Sequence, residues 1–529
     1  MANSSVETAL QMFASLVAQG VHDVAYCPGS RNAPFAYALA EAESRGLVNV
    51  ATFADERSAG FWAVGAARGV GVSAVVTTSG TAAAELHASL EEARQSGLAV
   101  VAVTADRPHE LTRVGASQTI VQENLFGAAV LESITIPAGS DATERTLRVV
   151  AQAMSESGPV HLNVALRDPL VPTSAIRWPA VTSISMPRSV VIYPRWDDVV
   201  DPGLDTVVIA GMGADANIVS DAENAGIPVL AEPMVQGGFA AGSILAGNAK
   251  PSTWQVVVTG RPTLSRSVAA LIQNAGRKVI ITPKLPWPDP SGGAAAVVQG
   301  LSGKPSPARK AWTDKWATGF EKVQEMLPSA ELSLLTAAAA IWRSWPKIPL
   351  WLGASNTVRA FEMVGDGKRG PVLSNRGVAG IDGTISSALG FASATNSPIR
   401  VVLGDLSFAY DMNVLAARPG KDTPIQVVVM DDGGGSIFAS LEHGAEEYAH
   451  LYERFFAVPQ AMEPVRLAKA MGWQAKRVET LADLEKCLAK PIVGRSLLHV
   501  PIVRPTNEIQ HVQKTFSLDS DCSLLGDGQ

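Results

Sequence analysis

Short apolar runs rich in β-branched residues recur along the chain, separated by longer stretches with helical spacing of apolar positions. HDVAYC (22–27), VNVATF (48–53), SAVVTT (73–78), LAVVAVTA (98–105) and VHLNVA (160–165) are five such runs. Each reads as a strand buried on both faces, as parallel sheets built from βαβ units require. Helices are predicted near 5–19, from 33, near 56–69 and near 81–95. The rhythm then stops. Pro169, Pro172, Pro179, Pro187, Pro194 and Pro202 are spread over 167–204 and predict an extended linker.

A second, smaller block follows, with strands expected in DTVVIAGMGAD (205–215) and at IPVLA (227–231), WQVVVTG (254–260) and RKVIITP (277–283). LSGKPSPARK (301–310) is a second linker. The third block opens with a long helix predicted over 312–344. Strands are expected at 348–353, 371–375, 399–405 and 424–432, then a helix near 480–489 and a strand near 496–501. The first and third blocks share size and βα rhythm. The fold class is therefore α/β, with three doubly wound parallel-sheet domains over 1–180, 190–305 and 312–505 and a polar tail at 506–529.

Composition narrows the function. The 529 residues are 47% hydrophobic and 18% charged, which suits large buried cores and excludes disorder over most of the chain. Lys and Arg number 43 against 50 Asp and Glu, a formal charge of −7, so bulk charge argues against nucleic acid as a partner. Cys27, Cys487 and Cys522 are too few and too scattered for a disulfide framework or a zinc cluster. The first residues lack the basic and apolar regions of a secretory signal, and no stretch is apolar enough to span a membrane. A cytoplasmic protein is expected.

The candidate chemistry lies after the strands. Arg31, Arg107, Arg359 and Arg376 each follow a predicted strand, where open parallel sheets bind their ligands. One such arginine alone reads more readily as a solvated or structural side chain. Four at equivalent positions favour an anionic ligand gripped by guanidiniums. GDLS (404–407) and DDGGGS (431–436) follow two strong strands one βαβ unit apart, bringing Asp405 and Asp432 to neighbouring strand ends. Carboxylates, a carbonyl and a phosphate make an ordinary Mg²⁺ environment, and two ordinary turns are the alternative. Glu56 sits where a strand hands over to a helix, a place that helix dipoles make favourable for any acid. GMGAD (211–215) resembles a truncated dinucleotide fingerprint but lacks the third glycine at the required offset, and a tight βα turn is the favoured reading. The eight histidines show no metal-ligand spacing.

Together these stretches resemble thiamine-diphosphate-dependent enzymes of the pyruvate-oxidase-like architecture, and within them the carboligases of menaquinone biosynthesis. CPGSRNAP (27–34), FADERSAGF (53–61), TTSGTAAAEL (77–86), TADRPHEL (104–111), GASQTI (115–120), SNRGVAGIDG (374–383), GDLSFAYDMNVL (404–415) and DDGGGSIF (431–438) carry the resemblance. It implies a pyrimidine-binding domain, a central domain and a diphosphate-binding domain, in a homodimer or homotetramer with sites between subunits. It implies thiamine diphosphate with Mg²⁺ or Mn²⁺ as cofactors.

Transferred residue by residue, the resemblance makes Glu56 the partner of the pyrimidine ring that activates the cofactor. Asp405, Asp432 and the Gly434 carbonyl become metal ligands, and Gly404, Leu406, Ser407, Ile437 and Phe438 line the cofactor. Ile381 becomes the apolar prop beneath it. Asp432 departs from the family, which usually has Asn there. The implied substrates, 2-oxoglutarate and isochorismate, are both dicarboxylates. Their implied binders are Ser30, Arg31, Arg107, Gln118, Arg266, Ser355, Arg359 and Arg376, with Gln118 also a proton handler. The implied reaction is decarboxylation of 2-oxoglutarate and 1,4-addition of the resulting four-carbon carbanion equivalent to isochorismate. The rival readings are a same-fold enzyme for small apolar 2-oxoacids, which should need fewer arginines, and a non-catalytic binding protein, against which Glu56 and Asp405 argue.

Overall fold

The structure, a computed structural model, describes residues 3–186, 191–239, 241–247, 249–283, 287–326, 331–344, 346–367, 369–417, 422–504 and 512. The predicted polar tail, residue 512 apart, and Cys522 fall outside these residues.

Three parallel sheets carry the chain. The first holds β1 (Asp23–Tyr26), β2 (Asn49–Thr52), β3 (Val72–Thr77), β4 (Ala99–Asp106), β5 (Ser133–Ile136) and β6 (Val160–Ala165). The second holds β7 (Thr206–Ala210), β8 (Val229–Ala231), β9 (Gln255–Thr259), β10 (Arg277–Ile281) and β11 (Ala296–Val298). The third holds β12 (Leu350–Leu352), β13 (Val372–Ser374), β14 (Ile399–Gly404), β15 (Ile425–Asp431), β16 (Gln474–Arg477) and β17 (Arg495–Pro501). Every residue of β1, β3, β4 and β6 is buried, because helices cover both faces. Counting strands within each sheet, the first and third both run 2-1-3-4-6-5, and the middle one runs 2-1-3-4-5. In each, the first strand lies between the second and third, so successive loops leave on opposite faces and open a crevice.

The first and third sheets share one core. Trp62, Val64, Trp351, Leu389, Val401 and Val427 belong to a single buried cluster. At its centre, helix Glu56–Val70 crosses helix Thr384–Thr395. A Cβ on Gly65 would lie 1.7 Å from the Ser387 carbonyl oxygen, and one on Gly390 would lie 1.9 Å from that of Trp62. The two backbones thus touch, and only glycine fits at either point. A second shared cluster joins the middle and third sheets through Trp254, Trp312, Trp316 and Phe361.

Several expectations need correction. The helix predicted over 312–344 is two helices, Lys310–Glu325 and Leu334–Arg343. Ser333 starts the second with a capping box, its hydroxyl accepting the Thr336 N–H at 3.2 Å. The helix predicted near 81–95 is also divided, into Thr81–Ala84 and His87–Ser96. The edge strands β5, β11 and β16 escape the pattern because none is a buried apolar run. GMGAD is a turn. A Cβ on Gly211 would lie 2.1 Å from the Pro262 nitrogen, so the glycine serves close backbone approach. No helix among the described residues is long and apolar enough to cross a membrane.

Candidate active site

The carboxyl ends of the first sheet open on a cleft of about 780 Å³. Pro28, Gly29 and Ser30 after β1, Asp55, Glu56 and Arg57 after β2, and Thr78 and Thr81 after β3 line it, with Gln118 on one side. Gly29 is required there, since a Cβ would meet that of Thr78 at 2.5 Å. Glu56 is the first residue of its helix, and Asp55 caps it by accepting the Ser58 N–H at 3.2 Å. A helix start favours the ionised carboxylate. Burial outweighs this and raises the Glu56 pKa, helped by the negative charges of Asp55 and Glu85. A half-buried glutamate of raised pKa facing a cleft is more than a helix-end acid.

Beside it, Arg31 and Arg107 lie close enough to repel. Burial and then the Arg31 charge lower the Arg107 pKa. Arg31 donates to the Leu166 carbonyl at 2.9 Å, and its buried Nε has no partner. Arg107 donates to the Ser117 carbonyl at 2.9 Å. Gln118 has φ +55° and ties its amide to the Ser79 carbonyl at 3.0 Å, while the Ser79 hydroxyl donates to the Gln118 carbonyl at 2.9 Å. Beneath this shelf lies a buried polar network that the sequence reading missed. Gln122 accepts the Gly80 N–H at 2.9 Å and donates to Asn163 at 3.0 Å, and Asn163 donates to Asp106 at 2.9 Å.

The third sheet presents its acids as predicted, at neighbouring strand ends. β14 and β15 pair with Gly404 opposite Met430. Gly404 caps helix Asp405–Asp411, whose first turn holds Asp405, Leu406 and Ser407. Asp405 is buried. Burial and the charge of Asp431 raise its pKa, against N–H bonds from Leu406 and Gly434. Asp432 follows β15. Burial pushes its carboxyl up to about 6, with the Asp405 and Asp431 charges adding to the rise and the Ser436 hydroxyl and Arg504 opposing it. Asp431 itself is held below the usual carboxylate range by a 2.8 Å bond to His499.

The loop fits a divalent cation. Asp405 and Asp432 are hard oxygen donors whose charges repel each other unless a cation intervenes. The Asp432 and Gly433 carbonyls accept from Arg504, at 3.2 and 2.5 Å, and that of Gly435 accepts the Tyr452 hydroxyl at 3.0 Å. The Gly434 carbonyl accepts the Ser436 N–H at 2.9 Å, which leaves it a second lone pair. Gly433 and Gly434 have φ of +76° and +123°, and a Cβ on Gly434 would lie 2.2 Å from the Ala457 oxygen. Ile437 and Phe438 follow in a 3₁₀ turn, where Phe438 packs on Phe456 at 5.7 Å. Among the described residues no group of three His, Cys, Asp or Glu side chains is placed to hold a metal.

A second arginine group adjoins this loop. Ser355 caps helix Asn356–Val364, and its carbonyl accepts Arg359 at 3.0 Å. Asn356 donates to Ser436 at 2.8 Å, joining this helix to the loop. Burial, then the charges of Arg376 and Arg266, lower the Arg359 pKa. Arg376 is buried and donates to Ala354 at 2.9 Å and to the Thr263 carbonyl at 3.1 Å. Its Nε has no partner. Glu232 supports that contact by accepting the Thr263 N–H at 2.7 Å. Arg266 is exposed and paired with Glu442 at 2.8 Å. Ile381 is half-buried in the loop after β13, which presses against Phe61 at Gly383.

Within one chain the candidates thus fall into two groups. Ser30, Arg31, Glu56, Arg107 and Gln118 sit on the first sheet. The rest, Ile381 apart, lie on or beside the carboxylate loop of the third sheet. Among the described residues no hydrogen bond or ion pair joins the groups, and no residue of the loop lines the Glu56 cleft. The third sheet's contribution to that cleft is Tyr410 and Asn413. Arg57 donates to the Tyr410 carbonyl at 2.8 Å and lies over its ring at 4.5 Å. Of the residues missed, Arg504 carried a readable signal, since it follows a strand as the four chosen arginines do. His499 and Gln122 carried none.

Comparison with known proteins supplies the family. Residues 6–125 match the thiamine pyrophosphate enzyme N-terminal TPP-binding domain, and residues 355–500 match the C-terminal TPP-binding domain. Three relatives named 2-succinyl-5-enolpyruvyl-6-hydroxy-3-cyclohexene-1-carboxylate synthase align over nearly the whole length. The Leifsonia xyli protein is 34% identical over 95% of this chain and 97% of its own. The Nocardioides protein is 37% identical, covering 95% and 96%. The Mycobacterium marinum protein is 37% identical, covering 94% and 96%.

Proposed function

The chain belongs to the 2-succinyl-5-enolpyruvyl-6-hydroxy-3-cyclohexene-1-carboxylate synthase family of thiamine pyrophosphate enzymes, and from that premise we propose how its residues divide the work. The chain is a thiamine-diphosphate-dependent transferase of menaquinone biosynthesis. It takes 2-oxoglutarate, releases CO₂, and joins the remaining four carbons to isochorismate in 1,4 fashion. The observation that carries this reading is the placement of two arginine groups, one beside Glu56 and Gln118 and one beside the Asp405–Asp432 loop. Two dicarboxylate substrates call for such paired positive sites.

Glu56 would hold the pyrimidine end of thiamine diphosphate. Asp405, Asp432 and the Gly434 carbonyl would hold Mg²⁺ or Mn²⁺ against its diphosphate, with Gly404, Leu406, Ser407, Ile437 and Phe438 around it and Ile381 as a prop. When bound, the cofactor supplies the electron sink that decarboxylation and carbon–carbon bond formation need. Glu56 supplies a carboxyl whose raised pKa suits it to share a proton with a ring nitrogen. Arg31 and Arg107, with Ser30, orient one anion. Arg359, Arg376 and Arg266, with Ser355, orient the other. Within each group neighbouring guanidiniums repel, which favours the arrival of a carboxylate. Gln118, fixed through Ser79, presents its remaining amide atoms to whichever substrate oxygen takes or loses a proton.

Glu56 and the carboxylate loop occupy different surfaces of one chain. A complete site is therefore built between two copies, in a homodimer or a homotetramer. A cytoplasmic home fits the free thiols Cys27 and Cys487.

The test is a coupled assay with purified protein, following isochorismate absorbance and CO₂. Isochorismate loss should require thiamine diphosphate, a divalent cation and 2-oxoglutarate together. CO₂ release without isochorismate loss would move the acceptor elsewhere, and silence in both channels would overturn the reading.

A further inference from the structure

Arg504 lies three residues past the end of the last strand of the third sheet and reaches under the triple glycine. Its Nε donates to the Asp432 carbonyl at 3.2 Å, and one terminal nitrogen donates to the Gly433 carbonyl at 2.5 Å. The other terminal nitrogen pairs with Glu453. The guanidinium lies 5.7 Å from the ring of Tyr452, whose hydroxyl takes the Gly435 carbonyl at 3.0 Å. One planar cation and one phenol thus occupy the carbonyls on either side of Gly434. Within residues 432–435, Gly434 is the one whose carbonyl accepts from no side chain among the described residues, only from the Ser436 N–H.

We propose that Arg504 is a positioning residue that clamps this loop so that the Gly434 carbonyl, and not its neighbours, is left for a divalent cation. The inference rests on the cation site proposed above. It has a physical cost that makes it testable. A guanidinium beside a cation site repels the cation, so charge alone would make Arg504 a hindrance. The planar fork is what a clamp needs, since it meets two successive carbonyls at once. Lysine offers a point charge and cannot do the same. Glu453 anchors the guanidinium from the outer side and is exposed, so it can be changed with little risk to folding.

The experiment is Mn²⁺ titration of the full-length protein with saturating thiamine diphosphate, reading free Mn²⁺ by electron paramagnetic resonance. The variants are Arg504→Met, Arg504→Lys and Glu453→Gln, each checked for native circular dichroism and melting. Loss of a residue that orients a metal ligand weakens metal binding roughly 10- to 100-fold. Arg504→Met should fall in that range although it removes a repelling charge. Arg504→Lys should lose affinity in the same direction, and Glu453→Gln should lose a few-fold at roughly the lower end of such effects. Tighter Mn²⁺ binding by Arg504→Met with wild-type binding by Arg504→Lys would show a charge effect and overturn the clamp. Unchanged binding in all three would overturn it too. Should Arg504→Met fail to fold, the Lys and Gln variants decide alone. Failure of the wild-type protein to take up Mn²⁺ with the cofactor would instead overturn the cation site itself.

Discussion

The first and third sheets run in the same strand order, yet after most corresponding strands they carry opposite charges. After the second strand the first sheet offers Glu56 and the third offers Arg376. After the fourth strand the first offers Arg107 and the third offers Asp432. Only after the first strand do they agree, with Arg31 and Arg359. The scaffold therefore supplies positions, and the loop residues decide whether a position grips an aromatic base, a cation or a carboxylate. Burial then works on both signs alike. It raises the pKa of Glu56 and Asp432 and lowers that of Arg107 and Arg359, leaving each edge primed for a partner of opposite charge.

The strongest way to break this comparison is to disable one sheet at a time. Glu56→Gln should lower kcat by about 10²- to 10⁴-fold while thiamine diphosphate still binds, because it removes a proton-handling group and little volume. Asp405→Asn should be inactive for a different reason, loss of the cation. Mixing the two inactive proteins under conditions that exchange subunits should restore about a quarter of wild-type activity, since half the pairs are mixed and each mixed pair has one intact site. No recovery, with exchange verified, would place both residues in one chain's site.

A smaller effect separates the arginine groups. Arg107→Ala and Arg359→Ala should each lower kcat/KM by about 10- to 100-fold, the range for losing a charged hydrogen bond of about 1.5–3 kcal/mol. The KM increases should fall on different substrates. If both fall on the same one, the two edges do not divide the anions between them.

Two caps sharpen the comparison further, in stability. Asp411 accepts N–H bonds from Ile385 and Ser386 at 2.7 and 2.9 Å at the start of helix Thr384–Thr395. Burial pushes its pKa up to about 6, against those bonds. The unfolded chain releases this proton first, near 3.8, so the folded state holds an extra proton between there and about 6. Folding stability should therefore decline as pH rises through that window, by on the order of 3 kcal/mol, and level off above it. Asp411→Asn should lack that slope when urea midpoints are compared from pH 4 to 7. The matching cap in the first unit, Asp55, is half-exposed, and Asp55→Ala should cost only about 1 kcal/mol in the same measurement.

Much of this was legible beforehand because parallel strands buried on both faces leave dense apolar runs. Those runs located the strand ends, and the strand ends located Arg31, Arg107, Asp405 and Asp432. Edge strands escaped for the converse reason. Gln474–Arg477 is mostly exposed and polar, so nothing in its pattern separates it from a loop. The break between Thr81–Ala84 and His87–Ser96 carries no proline or glycine, and spacing ran through it. His499 looked like one of eight unremarkable histidines. Only the register that sets it opposite Val429 brings it to Asp431. Gln122 lies in an irregular segment, and its partners lie on two strands and a turn that sequence alone does not bring together. The division of the candidates into two groups was expected from resemblance alone, since spacing along a chain says nothing about which surfaces face each other.

The glycine crossing at Gly65 and Gly390 has a mechanical consequence. With main chain resting on main chain, there is no layer of side chains for the two helices to slide across, which is the layer that shear motions use. The first and third sheets of one chain form a strut of fixed length. Breathing that admits a substrate belongs to the loops at the sheet ends and to the seam between chains. In the proposed assembly each strut has one end in either site, so a main-chain contact sets the spacing between the two ends.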